Sequence, residues 1–287
     1  MRHSVIRRKL RRVDRALDKA IDAAEIPGAV VLAEMRRDGE LLEHVSVRGL
    51  AVVRPERIPM ARETIFDLAS LTKVLATTTA ILVLCQEGAL ALDDPVTKFL
   101  PHFGETNKEG ITLRHLLTHS SGLKPWRAFH EALLERERKK GERIVGTPAA
   151  RKWVIESICR SGPLHEPGTA AVYGDLDFIV LGAVVEAVAH QSLDAFCQER
   201  IFRPLELAHT GFLPTLEGAG LPPESLRRGF AATENCTWRE RIDWGEVHDP
   251  NESAMGGVAG HAGLFAPADD VLRFARVVLD TWHGRSE

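Results

Sequence analysis

Cysteine is scarce in this chain. The four present, Cys85, Cys159, Cys197 and Cys236, include no C-x-x-C pair. A disulfide framework is not indicated, and the helix-like apolar surroundings of Cys85, Cys159 and Cys197 are those of buried thiols. An excess of positive charge is also missing. The 37 Lys and Arg are outnumbered by 40 Asp and Glu, for a net charge of −3, so no global field draws nucleic acid. Long apolar runs are absent too. The most apolar stretch, Val74 to Cys85, holds three threonines and is too short to cross a bilayer. The basic start, MRHSVIRRKLRR, leads into no apolar run and so is not a secretory signal. It reads as a solvated arm before a helix from Val13 to Ala24. A cytoplasmic protein with no membrane span is the expectation.

What is present is ordinary globular composition, 44% hydrophobic and 27% charged, in a chain long enough to bury a core without staples. Gly28 to Glu34 and Glu43 to Ala51, either side of a charged turn at Arg37, Asp38 and Gly39, predict a β-hairpin. Helices are predicted from Ser70 to Glu87, with Gly88 as its stop, and from Thr112 to Thr118. Further ones follow from Trp126 to Gly141, Ala149 to Arg160, Leu176 to His190, Leu193 to Ile201 and Asp269 to Thr281. The helix from Leu176 is apolar enough to lie in the core. Pro214 to Pro250 reads as loop, and no internal repeat is found.

The S-x-x-K spacing occurs twice. A serine hydroxyl is a weak nucleophile without an adjacent base, and a lysine three residues on lies over the same helix face. Gly122 and Pro125 break any helix at Ser121-Gly122-Leu123-Lys124, so nothing holds Lys124 over Ser121. Ser70 opens a long helix, which favours Ser70 and Lys73. His115 and His119 have the four-residue spacing of a helical zinc site, but no third ligand stands at a convincing distance. No metal and no organic cofactor are expected.

The residues around Ser70 carry a resemblance. Phe66-Asp67-Leu68-Ala69-Ser70-Leu71-Thr72-Lys73 is similar to the nucleophile segment of the serine β-lactamase and penicillin-binding-protein family, with its class C β-lactamase-related esterases and D-amino-acid peptidases. Gln86 to Leu90, Leu92 to Val96 and Ile111 to Leu123 continue the match, which runs from about Ile26 to the end of the chain. The resemblance implies an α/β (α+β) β-lactamase-like fold, a helical region on an antiparallel sheet, as one domain over 1–287. Within it, 1–69 would hold the first helix and hairpin, 70–245 the helical region and 246–287 a glycine-rich segment and last helix. It implies Ser70, Lys73 and Tyr173 as catalytic residues, Tyr173 standing where the family places a proton-relaying phenol. Asp175 stands where the family usually has asparagine. A carboxylate there would stabilise the Lys73 ammonium and make a poorer base.

Gly256-Gly257-Val258-Ala259-Gly260-His261-Ala262-Gly263 looks like the glycine-rich segment of one hydrolase subgroup. His261 and Gly263 are therefore expected to line the site, His261 more as a holder of loop geometry than as a base. His261-Ala262-Gly263 also imitates the family's third motif, a match read here as false. The strand expected to carry that motif, and the rest of the sheet, are not found before Glu287. The expected activity is acyl transfer from an ester, amide or β-lactam-type carbonyl of a small-molecule or peptide-like substrate. The alternative is a truncated, weakly active relative that binds partners.

Overall fold

The computed structural model describes residues 2–37, 40–213 and 222–285. Its backbone separates into two compact units, one of residues 1–67, 222–245 and 266–287, the other of 68–221 and 246–265.

In the first unit the expected hairpin forms, with longer arms than the β-branched runs alone mark. Gly28–Arg37 pairs antiparallel with Glu40–Val52, in a register that sets Gly28 opposite Gly49 and Val31 opposite Ser46. The predicted turn at Asp38 and Gly39 lies outside the described residues. A short third strand, Ile58–Pro59, adds to the far edge. The amino-terminal segment departs from expectation: the helix runs from Arg2 to Asp22, so the basic start is helical and not a loose arm. Straight-chain arginine and lysine are good helix formers. Two contacts tie that helix to the second strand: His44 Nε2 lies 3.1 Å from Asp14, and Arg48 Nε donates to Asp18 at 3.2 Å.

The stretch expected to be loop holds a second hairpin, Ala232–Cys236 with Arg241–Trp244; residues 214–221 lie outside the described part. Its strands show no apolar alternation because Glu234 and Asn235 are exposed. Burial is concentrated at Trp244, which packs with Ala51, Val52, Phe230 and Ile242 and donates its indole N–H to the Phe230 carbonyl at 3.0 Å. The closing helix, Ala268–Trp282, is clamped at its first turn and near its middle. Arg62 makes a forked pair with Asp269 at 2.9 and 2.7 Å, and Arg276 pairs with Glu34.

The second unit is mainly helical. At its centre lies Leu176–Ala189, whose residues from Leu176 through Val185 are all buried. It is apolar nearly all round, as expected of a helix enclosed by neighbours. It ends at His190 in a left-handed conformation, φ 53°. Around it stand Leu113–Leu117, Phe129–Lys140, Pro148–Cys159 and the bent pair Leu193–Cys197 and Gln198–Phe202. Local chemistry sets their ends. Thr112 and His115 form a reciprocal cap, Thr147 caps Ala150 with Pro148 at the first helical position, and Gly141 closes its helix in the left-handed region. Each satisfies groups that a helix end leaves open.

The helical segment Ala69–Gln86 is long and apolar enough to cross a membrane by length and composition. Here it packs beside Leu176–Ala189, with Thr72, Lys73 and Thr77 among its buried residues.

Candidate active site

The residues singled out in the sequence meet at the start of that segment. It begins as a tight turn, Ala69–Leu71, widens into a π turn, Lys73–Thr78, and becomes α-helical from Thr79 to Gln86. A wide turn of this kind often marks a functional site. Ala69, just before Ser70, has a φ of +46°, a conformation that costs a non-glycine residue about 1–3 kcal/mol. Ser70 is exposed, whereas Lys73 beneath it is only 3% exposed.

Three contacts fix the Lys73 amine. Nζ lies 2.9 Å from Ser70 Oγ, 2.8 Å from Asp175 Oδ1 and 3.1 Å from the His261 carbonyl. An ammonium would donate to all three. A neutral amine would donate to Asp175 and the carbonyl, and turn its lone pair to the Ser70 hydroxyl. The same geometry therefore serves both protonation states.

Tyr173 is 61% exposed. Its ring centroid lies 5.1 Å from Lys73 Nζ, within cation–π range, and 4.6 Å from the His119 ring. His119 also sits 3.2 Å from Asp177, its carbonyl accepts from Val172 N–H at 2.8 Å and its Nδ1 lies 3.3 Å from Gly174 N. The loop carrying Tyr173 thus rests on His119. His115, the other half of the four-residue spacing, is committed to its helix cap. Ser121, of the second S-x-x-K, is buried and donates to Asp177.

The glycine-rich segment is stitched onto the Ser70 helix. Thr77 Oγ1 donates to the Gly260 carbonyl at 2.8 Å, and Leu264 N–H donates to Thr72 Oγ1 at 3.0 Å. Close approach requires glycine at two points. A Cβ on Gly260 would sit 2.0 Å from the Phe178 carbonyl of the core helix. Gly263 has φ +95°, and a Cβ there would lie 2.7 Å from Glu252 Oε1.

Sequence reasoning missed the acids behind this loop. His261, 1% exposed, places Nε2 3.2 Å from Asp249 and Nδ1 3.3 Å from Glu252. Burial works against a charge on the ring, but Asp249 first, then Glu252 and Asp175, outweigh it and raise its pKa. Glu252 is fully buried, and neither oxygen has an aligned partner. Burial pushes its carboxyl up to about 8, so it is neutral at pH 7. For Asp249 burial acts upward but is overcome by His261 and the backbone N–H groups of Glu252 and Asn251, which bring it down to about 2. The signal for Asp249 and Glu252 was the helix-start spacing Asp-Pro-Asn-Glu; Asp249 does cap the Pro250–Ala254 helix, accepting from Glu252 N–H at 2.8 Å.

Asp175, Asp249 and His261 bring ligand atoms within 4.8 Å of one another, a spacing that would suit a metal ion. The cationic places there are filled by side chains, the Lys73 amine on Asp175 and the His261 ring on Asp249. A cleft of about 1050 Å³ lies elsewhere in the second unit, lined by Phe99, Ile155, Arg151, Met255 and Val258 among others, and none of Ser70, Lys73, Tyr173 or Asp175 lines it.

Ser70 lies over the buried Lys73 at the start of its helical segment, the pairing that the sequence resemblance implied. Residues 13–286 match the profile of the Beta-lactamase family, and the chain belongs to that family, with its α/β fold. It is 34% identical over 253 residues to a "Putative D-alanyl-D-alanine carboxypeptidase" of Escherichia coli K12, a match covering 80% of this chain and 54% of the relative. An "N-acetylmuramyl-L-alanine amidase" of Bacillus subtilis is 31% identical over 297 residues, covering 95% and 63%. Among solved structures, the octameric penicillin-binding protein homologue from Pyrococcus abyssi superposes with a TM-score of 0.70 at 23% identity, over 95% of this chain and 56% of that one. The chain thus spans between half and two thirds of the length of these relatives.

Proposed function

We propose that the protein is a serine hydrolase that works through an acyl-enzyme on Ser70. In this reading Lys73, in its neutral form, takes the Ser70 proton as Oγ bonds to the substrate carbonyl carbon. The leaving group departs with a proton, and Tyr173 assists that transfer. Water then attacks the ester on Ser70 and returns the serine. Asp175 holds the lysine in line, and Gly263 and the His261 carbonyl line the floor.

The observation that carries this reading is the three-point hold on Lys73 Nζ, with Ser70 Oγ at 2.9 Å, Asp175 at 2.8 Å and the His261 carbonyl at 3.1 Å. Two N–H groups have fixed acceptors, and the remaining direction faces the hydroxyl. The names of the E. coli and B. subtilis relatives favour an amide carbonyl in a D-amino-acid or muramyl peptide over a β-lactam.

The test offers the full chain a D-alanyl-D-alanine peptide, a chromogenic short-chain ester and a chromogenic β-lactam. Peptide or ester turnover that vanishes in Ser70→Ala supports the reading. Turnover that survives Ser70→Ala contradicts it, and preferred turnover of the β-lactam overturns the substrate assignment.

A further inference from the structure

The glycine-rich loop brings a second set of ionisable side chains to within one residue's width of Lys73. His261 is the link. Its main-chain carbonyl accepts from Lys73 Nζ at 3.1 Å, while its ring is buried against Asp249 on one nitrogen and Glu252 on the other. Neither Glu252 oxygen nor His261 Nδ1 has an aligned hydrogen bond. Leaving polar atoms so is costly unless they serve a purpose. The groups facing His261 are Asp249 and Glu252 from the Pro250–Ala254 region, Asp175 from the start of the core helix and Lys73 from the Ser70 helix. Arg151, from Pro148–Cys159, acts on Glu252. Charges therefore alternate from the nucleophile inward: Lys73, Asp175, His261, Asp249.

We propose that Asp249, His261 and Glu252 form a buried charge-balancing unit that positions Lys73. His261, gripped between Asp249 and Glu252, fixes the carbonyl on which Lys73 rests and offsets the charge of Asp175. Glu252 is the throttle. While it is neutral the balance holds; once ionised, it adds a buried negative charge beside His261 and upsets that balance. All three are positioning residues, because none reaches the reacting atoms. The proposal rests on Ser70 and Lys73 being the reactive pair.

The loop geometry alone would make these residues structural, and three features argue for more. An apolar residue in place of Glu252 would fill the space without an unmet carboxyl. The ring sits behind the carbonyl on which the lysine rests. And the loop is already held by Thr77 on Gly260 and Thr72 on Leu264, so anchoring it does not require an ionic cluster.

The experiment compares the full wild-type chain with Glu252→Gln, which keeps shape and removes the titration, and with Asp249→Asn. Two readouts are taken between about pH 6 and pH 9.5: the rate at which a fluorophosphonate labels Ser70, and the charge on the His261 ring from its imidazole carbon and nitrogen NMR shifts. The ratio of Glu252→Gln to wild-type labelling is expected to rise with pH, as the wild type gains a buried negative charge that the variant cannot. Asp249→Asn should move the ring toward its neutral form, because the carboxylate that most favours its charge is gone, and should slow labelling. Superimposable pH profiles for wild type and Glu252→Gln, or a ring that is neutral in the wild type at pH 7, would overturn the proposal. Absence of label on Ser70 in every form would sink the nucleophile assignment instead. The ring titration needs no reaction and would then decide the His261 claim by itself.

Discussion

At Lys73 one amine meets a hydroxyl, a carboxylate and a carbonyl, and its behaviour depends on which neighbour is changed. Asp175 is the carboxylate, 2.8 Å away. Its carboxylate accepts from the amine and holds it beside Ser70. Asp175→Asn is therefore expected to slow Ser70 labelling, because a neutral amide oxygen holds the amine less firmly than a carboxylate, while the fold is retained. Labelling at the wild-type rate would show that this contact does not position the base. Gly263 makes a second residue-scale case. Any side chain there must adopt φ +95° and press on Glu252. Gly263→Ala should cost about 1–3 kcal/mol from the backbone alone, measured as a lowered denaturation midpoint, and should slow labelling, since the His261 carbonyl lies two residues away. The Ser70 and Lys73 pairing was legible in the sequence because S-x-x-K at a helix start is a local pattern, whereas Tyr173 and Asp175 were placed beside it only by the family resemblance. Asp249 and Glu252 were not. Their patterns read as an ordinary helix start, and only the folded loop turns the His261 ring toward them.

Elements were legible where one physical signal dominates. The central helix was predicted from Leu176 to His190 and runs from Leu176 to Ala189, because a nearly continuous apolar run admits little else. The helix before it was set by a threonine and a proline, and Phe129–Lys140 stops at its glycine. The second hairpin was hidden because its strands are short and one face is polar. The π turn at Lys73–Thr78 was hidden because nothing in local propensity separates it from an α-helix; it follows from what the side chains of Thr72, Lys73 and Thr77 must reach. That stitching is testable. Thr77→Val keeps the shape and leaves the Gly260 carbonyl without its 2.8 Å donor. The expected cost is about 1–3 kcal/mol of stability, with slower Ser70 labelling as the loop shifts. Unchanged stability would mean that the loop is held by packing alone.

For the molecule as a whole, the buried cluster ties stability to pH. Glu252 is pushed up to about 8 by burial, while in the unfolded chain it ionises in the ordinary carboxylate range. Between those values the folded protein holds the extra proton, so stability falls as pH rises. His261, raised by Asp249, acts in the same direction, its contribution being present below its ordinary value and lost on the alkaline side. Asp249, lowered to about 2, contributes above the ordinary aspartate range and is lost only in strong acid. The melting temperature should therefore be highest at mildly acidic pH, near about pH 5, and several degrees lower by about pH 9. Glu252→Gln should flatten that decline, as read by calorimetry across the range. A wild-type profile that rises toward pH 9 would contradict the assignment of Glu252 as neutral.

The central claim is that Ser70 is the nucleophile and Lys73 its base. The most direct measurement treats the full chain with a fluorophosphonate and maps the adduct by peptide mass spectrometry in wild type, Ser70→Ala, Lys73→Ala and Ser121→Ala. The account predicts a single adduct on Ser70, kept in Ser121→Ala and lost in both Ser70→Ala and Lys73→Ala, with the folded state of each variant verified by its melting curve. An adduct on Ser121, or one that persists in folded Lys73→Ala at the wild-type rate, would contradict it.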